Sequence, residues 1–412
     1  MSYIIKNKCR LCESRKLISV FELAPTPPAN AFVSKKELSQ EQECYPLEVY
    51  QCEVCSHVQL LVVVDPDILF SNYVYVSGTS PVFVKHFKDY AEYTINKFDL
   101  EPGSFILDIG SNDGTLLSFF RNHGMKILGV DPAIKIAEKA SKNGIKTIPS
   151  FFDLSLSKSL LDNYGSAKVI TANNVFAHVD DLIGLTNSIR NLLSKDGVFI
   201  FEVSYLKDVY EKCLFDMTYH EHLAYHSVLS LDRFFYHNGL EIFDVINVET
   251  HGGSIRVFVQ LQGGKHMRKK TVERFINKEK SLGLNNVSAM KNFGKKINTL
   301  GLELISILKE LKDNGSIIAG FGAPAKATTL MYHFGIGSNM IDYIIDDSPL
   351  KQGLFSSGMH IPIVSSNILD DNRPDYLLIL AWNFKESIMK KNNIFKQKGG
   401  RFIIPLPKIE VI

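Results

Sequence analysis

Nine consecutive residues, T-Y-H-E-H-L-A-Y-H from Thr218 to His226, gather three imidazoles, two phenols and one carboxylate. Histidine titrates near neutral pH and a phenol can steady a developing oxyanion. The mixture therefore suits taking a proton from a carbon beside a carbonyl and holding the enolate that remains. The same composition also describes a histidine-rich surface loop or a packed, hydrogen-bonded cluster. A nucleotide-type glycine turn upstream, D-I-G-S-N-D-G at Asp108–Gly114, tips the reading towards proton transfer beside a bound cofactor.

That turn follows an apolar strand and opens a helix, the setting in which glycine lets the backbone approach a ligand closely. A dinucleotide fingerprint would need further glycines and a pyrophosphate on the helix N-terminus. Here Asn112 stands at the middle glycine position and Asp113 faces that end, which disfavours a phosphate. S-adenosylmethionine fits better: it carries no phosphate, and its ammonium can pair with Asp108 at the strand end. Asp131, about twenty residues further on, is placed to accept hydrogen bonds from two ribose hydroxyls. Gly110, Asn112 and Asn173 complete the residues expected at the cofactor. A helix-capping turn with solvated aspartates is the plainer alternative.

Five of the six cysteines precede residue 56, and four of them form two C-x-x-C pairs, Cys9 with Cys12 and Cys52 with Cys55. Two-residue gaps let each pair converge on one tetrahedral zinc ion with Zn–S bonds of about 2.3 Å. In a reducing cytoplasm a disulfide is the weaker reading. The spacer is longer than in common zinc modules of this type, so the excursion from Leu23 to Tyr50 must loop out and return. Four thiolates leave no open coordination position, so the expected zinc is structural. Cys44 and Cys213 stand outside the set.

These residues need a scaffold, and the sequence suggests an α/β one. From Ser104, apolar strands alternate with helical runs: F-I-L-D-I, then I-L-G-V-D ending at Asp131, then Lys168–Ala172, Gly197–Val203, Leu240–Val248 and Ile255–Gln260. This is the pattern of a doubly wound, Rossmann-like sheet. The last two strands, separated by T-H-G-G-S, predict an antiparallel hairpin. The Thr218–His226 cluster then lies in a long connection at the sheet edge, where substrate groups gather. A second α/β pattern begins at Ser316 and runs into G-F-G-A-P-A-K. The boundaries expected are a zinc-binding domain over 1–70, a cofactor-binding domain over 71–265, a helical connector over 266–312 and a C-terminal nucleotide-fold domain over 313–412. The balance of 46 basic and 44 acidic side chains argues against nucleic acid or an anionic membrane as partner. No apolar run has the length of a membrane span, and the location expected is cytoplasmic.

Five motifs in order give the whole chain its resemblance: C-R-L-C with C-E-V-C, P-T-P-P-A-N-A-F at Pro25–Phe32, D-I-G-S-N-D-G, Y-H-E-H at Tyr219–His222, and G-F-G-A-P-A-K at Gly320–Lys326. The chain resembles the S-adenosylmethionine-dependent nucleotide-sugar C-methyltransferases, which place a methyl branch on C-3 of 4-keto-6-deoxysugars. The resemblance implies a zinc-bearing N-terminal domain, a central methyltransferase sheet, and a second Rossmann-like domain that helps hold the sugar nucleotide without a cofactor of its own. It implies His222 as base, with Tyr219 and Glu221 beside it and His178 in the active site. A tyrosine of the Tyr73–Tyr75 turn is expected near the sugar, either Tyr73 or Tyr75 serving. His220 and Lys326 are the further substrate contacts expected. In this reading Glu221 fixes the histidine tautomer. Two other activities stay open on the sequence: O- or N-methylation of a small metabolite, and non-catalytic binding of a nucleotide sugar. The nucleotide base, the exact sugar and the oligomeric state are not encoded in any motif.

Overall fold

The computed structural model describes residues 2–70, 78, 81–371 and 373–412; Tyr73 and Tyr75 lie outside the described residues. The N-terminal part is a small antiparallel sheet. The excursion between the cysteine pairs is a hairpin whose strands, Leu17–Thr26 and Tyr45–Cys52, pair from Leu17 opposite Cys52 to Thr26 opposite Tyr45. Alternation along the second strand turns Tyr45, Leu47, Val49 and Gln51 inward, the period-two pattern of a half-buried strand. Val58–Leu60 pairs next to it, and the fourth strand comes from far down the chain. Ala224–Tyr225, the end of the imidazole cluster, pairs antiparallel with Gln59 and Val58.

The central sheet has seven strands in the order Leu240–Val248, Ser254–Leu261, Leu193–Ser204, Ala167–Asn173, Phe105–Ile109, Lys126–Val130, Thr147–Ile148. All pairs are parallel except the two made by Ser254–Leu261, so the expected hairpin closes the sheet. Its inner strands are predominantly apolar, as burial on both faces requires. Phe176, Phe199, Phe201 and Phe235 stack on one face with centroids 4.8 to 6.2 Å apart; each such pair adds about 0.5–1.5 kcal/mol beyond area burial. Pro81–Phe98 covers the other face through Phe87, Tyr90 and Phe98.

The C-terminal sheet is parallel through Ile363–Val364, Tyr343–Ile345, Ile318–Phe321, Tyr376–Ile379 and Arg401–Ile404, with Glu410–Val411 antiparallel at its edge. The stretch expected as a helical connector divides between two cores. Lys270–Ser281 packs on the central sheet, and its buried Glu279 accepts hydrogen bonds from the Val228 and Leu229 N–H groups at 2.7 and 2.8 Å. The 27-residue helix Val287–Asp313 instead packs on Leu17–Thr26 and on Ala325–Phe334. Gly294 permits this approach, since a Cβ there would lie 2.5 Å from the Phe21 Cβ. One hydrophobic core therefore runs from Leu47 and Val49 through Phe293 and Ile297 to Ile344 and Leu378, joining the zinc sheet to the C-terminal sheet. Among the described residues no helix is long and apolar enough to cross a membrane.

Candidate active site

The strand Phe105–Ile109 delivers the glycine turn to the carboxyl edge of the central sheet, where open α/β folds bind ligands. Gly110 has φ +69°, and a Cβ there would lie 2.3 Å from the Val175 Cγ2. No other residue keeps both the turn and the loop above it. Asn112 adopts φ 50°, a left-handed conformation asparagine tolerates, and its N–H donates to Asp131 Oδ2 at 2.8 Å while the Ala133 N–H donates to Oδ1 at 2.8 Å. Asp108 is buried and accepts the Thr171 hydroxyl at 2.6 Å. Burial pushes its carboxyl up to about 7, against the Thr171 hydrogen bond and helped by the charge of Asp131. Burial raises Asp131 as well. Apart from a weak contact with the Tyr90 phenol, neither polar atom of the buried Asn173 amide has a hydrogen-bond partner among the described residues.

All five residues expected at the cofactor line one cavity of about 980 Å³. The structure adds residues that no motif marked. Ile134, Phe151, Phe152 and Asp153 also line it, and Ile134 and Phe151 are exposed apolar side chains at its rim. The strand that delivers the Phe151 loop, Thr147–Ile148, is two residues long, too short to show a period.

His178, His220 and Glu221 line the same cavity. His222 meets His178 edge to face with centroids 4.9 Å apart, which puts Tyr219 and His222 immediately behind that wall. The Met217 carbonyl lies 2.8 Å from His222 Nδ1, and the Tyr219 hydroxyl 3.0 Å from Nε2. A carbonyl only accepts, so Nδ1 carries a proton, and in the neutral form of the ring Nε2 is the acceptor. The tautomer is therefore set by the Met217 carbonyl rather than by Glu221, as the sequence had suggested. The Glu221 carboxylate accepts instead from the Asn30 amide at 3.1 Å, and burial pushes its carboxyl up to about 7. The loop of the P-T-P-P-A-N-A-F motif thus carries Asn30 to Glu221, which lines the cavity.

The rest of the cluster has structural work. His220 Nε2–H donates to the Tyr45 carbonyl at 3.1 Å, and its ring meets the Tyr45 ring edge, so this residue both lines the cavity and ties it to the zinc sheet. Burial pulls its imidazole down to about 4, keeping it neutral. His226 is wholly buried, donates to the Phe176 carbonyl at 3.2 Å and packs on His57. Lys326, expected at the substrate, is not in the cavity wall. Its ammonium sits 3.6 Å from Asp216 Oδ2 and 4.0 Å from the Trp382 ring centroid.

The four cysteines converge: all four Sγ atoms lie within 4.8 Å of one another, with Cys9 to Cys55 at 3.5 Å and Cys12 to Cys52 at 3.6 Å. A tetrahedral zinc with bonds of about 2.3 Å wants sulfurs about 3.8 Å apart, so the set fits a structural zinc. Between the first two cysteines, Arg10 reaches across to Asp180 at 3.1 Å, tying the metal knuckle to the loop that carries His178.

Rossmann-like sheet, glycine turn and paired strand-end aspartates define an S-adenosylmethionine-dependent methyltransferase. The comparisons agree. The family model described as a zinc binding domain matches residues 9–70, a methyltransferase domain matches 85–245, and a C-methyltransferase C-terminal domain matches 249–407. The chain is 31% identical over 406 residues to the C-methyltransferase NovU of Streptomyces niveus, covering 98% of this chain and 97% of that protein. It is therefore a member of the C-methyltransferase family that carries an N-terminal zinc domain. A tRNA U34 carboxymethyltransferase of Campylobacter lari is 28% identical over 151 residues, 35% of this chain and 52% of its own. A solved S-adenosylmethionine-dependent methyltransferase from Clostridium acetobutylicum is 16% identical, with a TM-score of 0.35, covering 48% of this chain and 96% of that one.

Proposed function

We propose that this C-methyltransferase acts on a nucleotide-linked 4-keto-6-deoxysugar, methylating C-3 beside the ketone, with His222 as the base. The observation that carries the reading is the His222 imidazole held between the Met217 carbonyl at Nδ1 and the Tyr219 hydroxyl at Nε2, beside a cavity of about 980 Å³. Bound S-adenosylmethionine supplies an electrophilic methyl on a sulfonium. Asp108 pairs with its ammonium, Asp131 accepts from the ribose hydroxyls, Asn173 offers its amide, and Ile134 and Phe151 give the adenine apolar contact.

His222 Nε2 takes the proton from the carbon next to the ketone. Tyr219 turns its O–H from Nε2 to the ketone oxygen, where the enolate charge collects; one such donor is worth about 3–4 kcal/mol. Glu221 can donate or accept near neutral pH and faces the sugar, with His178 completing the wall. The buried walls keep water from the carbanion. Tyr73 or Tyr75 contacts the sugar in this reading, and the enzyme works in the cytoplasm, where reduced thiols hold zinc.

The test is incubation in deuterated water with a dTDP-linked 4-keto-6-deoxyhexose. With S-adenosylhomocysteine present, deuterium should enter the carbon beside the ketone; with S-adenosylmethionine, NMR should show a new C–CH₃ group. A His222→Ala variant that exchanges and methylates as fast as the parent rejects the base, and a methyl ether as product rejects C-methylation of this acceptor.

A further inference from the structure

The carboxyl edge of the C-terminal sheet, where a Rossmann-like fold would hold a nucleotide, is met by residues 216–218 of the central part of the chain. The strand Ile318–Phe321 leads through Gly322 and Pro324 into the helix Ala325–Phe334, and Trp382 follows the neighbouring strand Tyr376–Ile379. Into that angle projects Asp216, wholly buried. Its Oδ2 accepts the Trp382 indole N–H at 2.6 Å and lies 3.6 Å from the Lys326 ammonium. One turn along the same helix, the Thr329 hydroxyl donates to the Thr218 carbonyl at 2.8 Å. Residues three apart share a helix face, so one face grips both Asp216 and Thr218. Met217, between them, supplies the carbonyl that holds His222 Nδ1–H.

We infer that the helix Ala325–Phe334 sets the tautomer and aim of His222, with Lys326 and Thr329 as positioning residues. A neutral imidazole has one proton for two nitrogens. The Met217 carbonyl favours the proton on Nδ1; displace the 216–218 backbone and part of the population presents N–H at the end that must accept. The C-terminal domain thus contributes to the reaction through residues that do not line the cavity. The kinetic part of this inference rests on the reading of His222 as base, whereas the tautomer does not.

The experiment is ¹⁵N-histidine NMR on the full chain, with the His222 signals assigned by their loss in His222→Gln. It compares the parent with Thr329→Val, with Lys326→Arg, and with the charge-neutral double variant Asp216→Asn/Lys326→Met, which avoids leaving one buried charge alone. The parent should show His222 protonated at Nδ1. Thr329→Val and the double variant should show a mixed tautomer, a shifted acid limb in the pH profile of kcat on the dTDP-linked 4-keto-6-deoxyhexose, and kcat down at least about tenfold with both KM values held within about twofold. Lys326→Arg should keep most of the Nδ1–H form. An unchanged His222 tautomer in both test variants overturns the inference, as does a raised sugar KM with unchanged kcat, which would make Lys326 a substrate contact. If His222→Gln itself turns over at the parent rate, the base assignment fails while the tautomer comparison still decides the clamp.

Discussion

Cofactor binding should draw a proton out of the protein, because Asp108 is built to be neutral when the site is open. Its carboxyl is pushed from an ordinary value of 3.8 to about 7 by burial, with one hydroxyl donor to set against that. At roughly 1.4 kcal/mol for each tenfold change, holding the ionised form in the open site costs about 4 kcal/mol. The sign follows from which state keeps the proton: between the two values the folded chain holds it and the unfolded chain does not. Asp108 therefore favours folding in acid, and this contribution is lost as pH rises towards about 7. An ammonium seated against Asp108 reverses the preference. S-adenosylhomocysteine, which carries the same ammonium, should bind more tightly as pH rises from about 5.5 to 7.5, by close to tenfold per pH unit at the acid end, levelling off above about 7. Calorimetry in buffers of different ionisation enthalpy should count close to one proton released per ligand at about pH 6 and few at about pH 8. Asp108→Asn should abolish most of that release and flatten the pH dependence, leaving only what Asp131 contributes. An affinity independent of pH with no proton released, or an Asp108→Asn variant that releases as many protons as the parent, would refute the pairing.

Gly110→Ala must place a methyl 2.3 Å from Val175 at a positive φ; backbone strain alone is about 1–2 kcal/mol, so S-adenosylhomocysteine affinity measured by calorimetry should fall at least about tenfold. Tyr219→Phe removes the proposed oxyanion donor and should lower kcat by about 10²–10³ with little change in KM, and steady-state kinetics on the keto sugar decides it. Glu202→Gln leaves Arg256 buried beside a neutral partner, where a 2.6 Å ion pair stood; the expected loss of about 3–5 kcal/mol should lower the thermal unfolding temperature by several degrees, and no change would contradict the ion pair. Elemental analysis should find one zinc per chain, and Cys55→Ser should both lose it and lower the unfolding temperature.

Which of these features can be read in the sequence depends on how local their physics is. The glycine turn and the C-x-x-C pairs are legible because steric need and ligand reach act over a few residues, and the central strands are legible because burial on both faces writes itself as apolar runs. Residues joined only by folding leave no such mark. His222 and His226 are the same residue type four positions apart, yet one packs on His178 in the cavity wall and the other is sealed beneath Phe176 and His57; only long-range neighbours separate them. The strand Ala224–Tyr225 is too short for any period, and its partner is Val58–Leu60, more than 160 residues away. The group that fixes the His222 tautomer is a backbone carbonyl, which every residue possesses and no sequence pattern can single out. The sequence pointed to Glu221 for that task because carboxylates often perform it, and the fold turned Glu221 to Asn30 instead. The Thr218–His226 segment is thus held from three directions: by strand pairing to the zinc sheet, by Leu223 and Ala224 N–H groups on the Ala177 carbonyl in the loop after the strand Ala167–Asn173, and by Thr329 of the C-terminal domain. A segment this short cannot fix its own conformation, since each residue ordered costs about 1–2 kcal/mol in backbone entropy. Its geometry has to be imposed by its neighbours, and the position of the proposed base is accordingly a property of all three parts of the chain together.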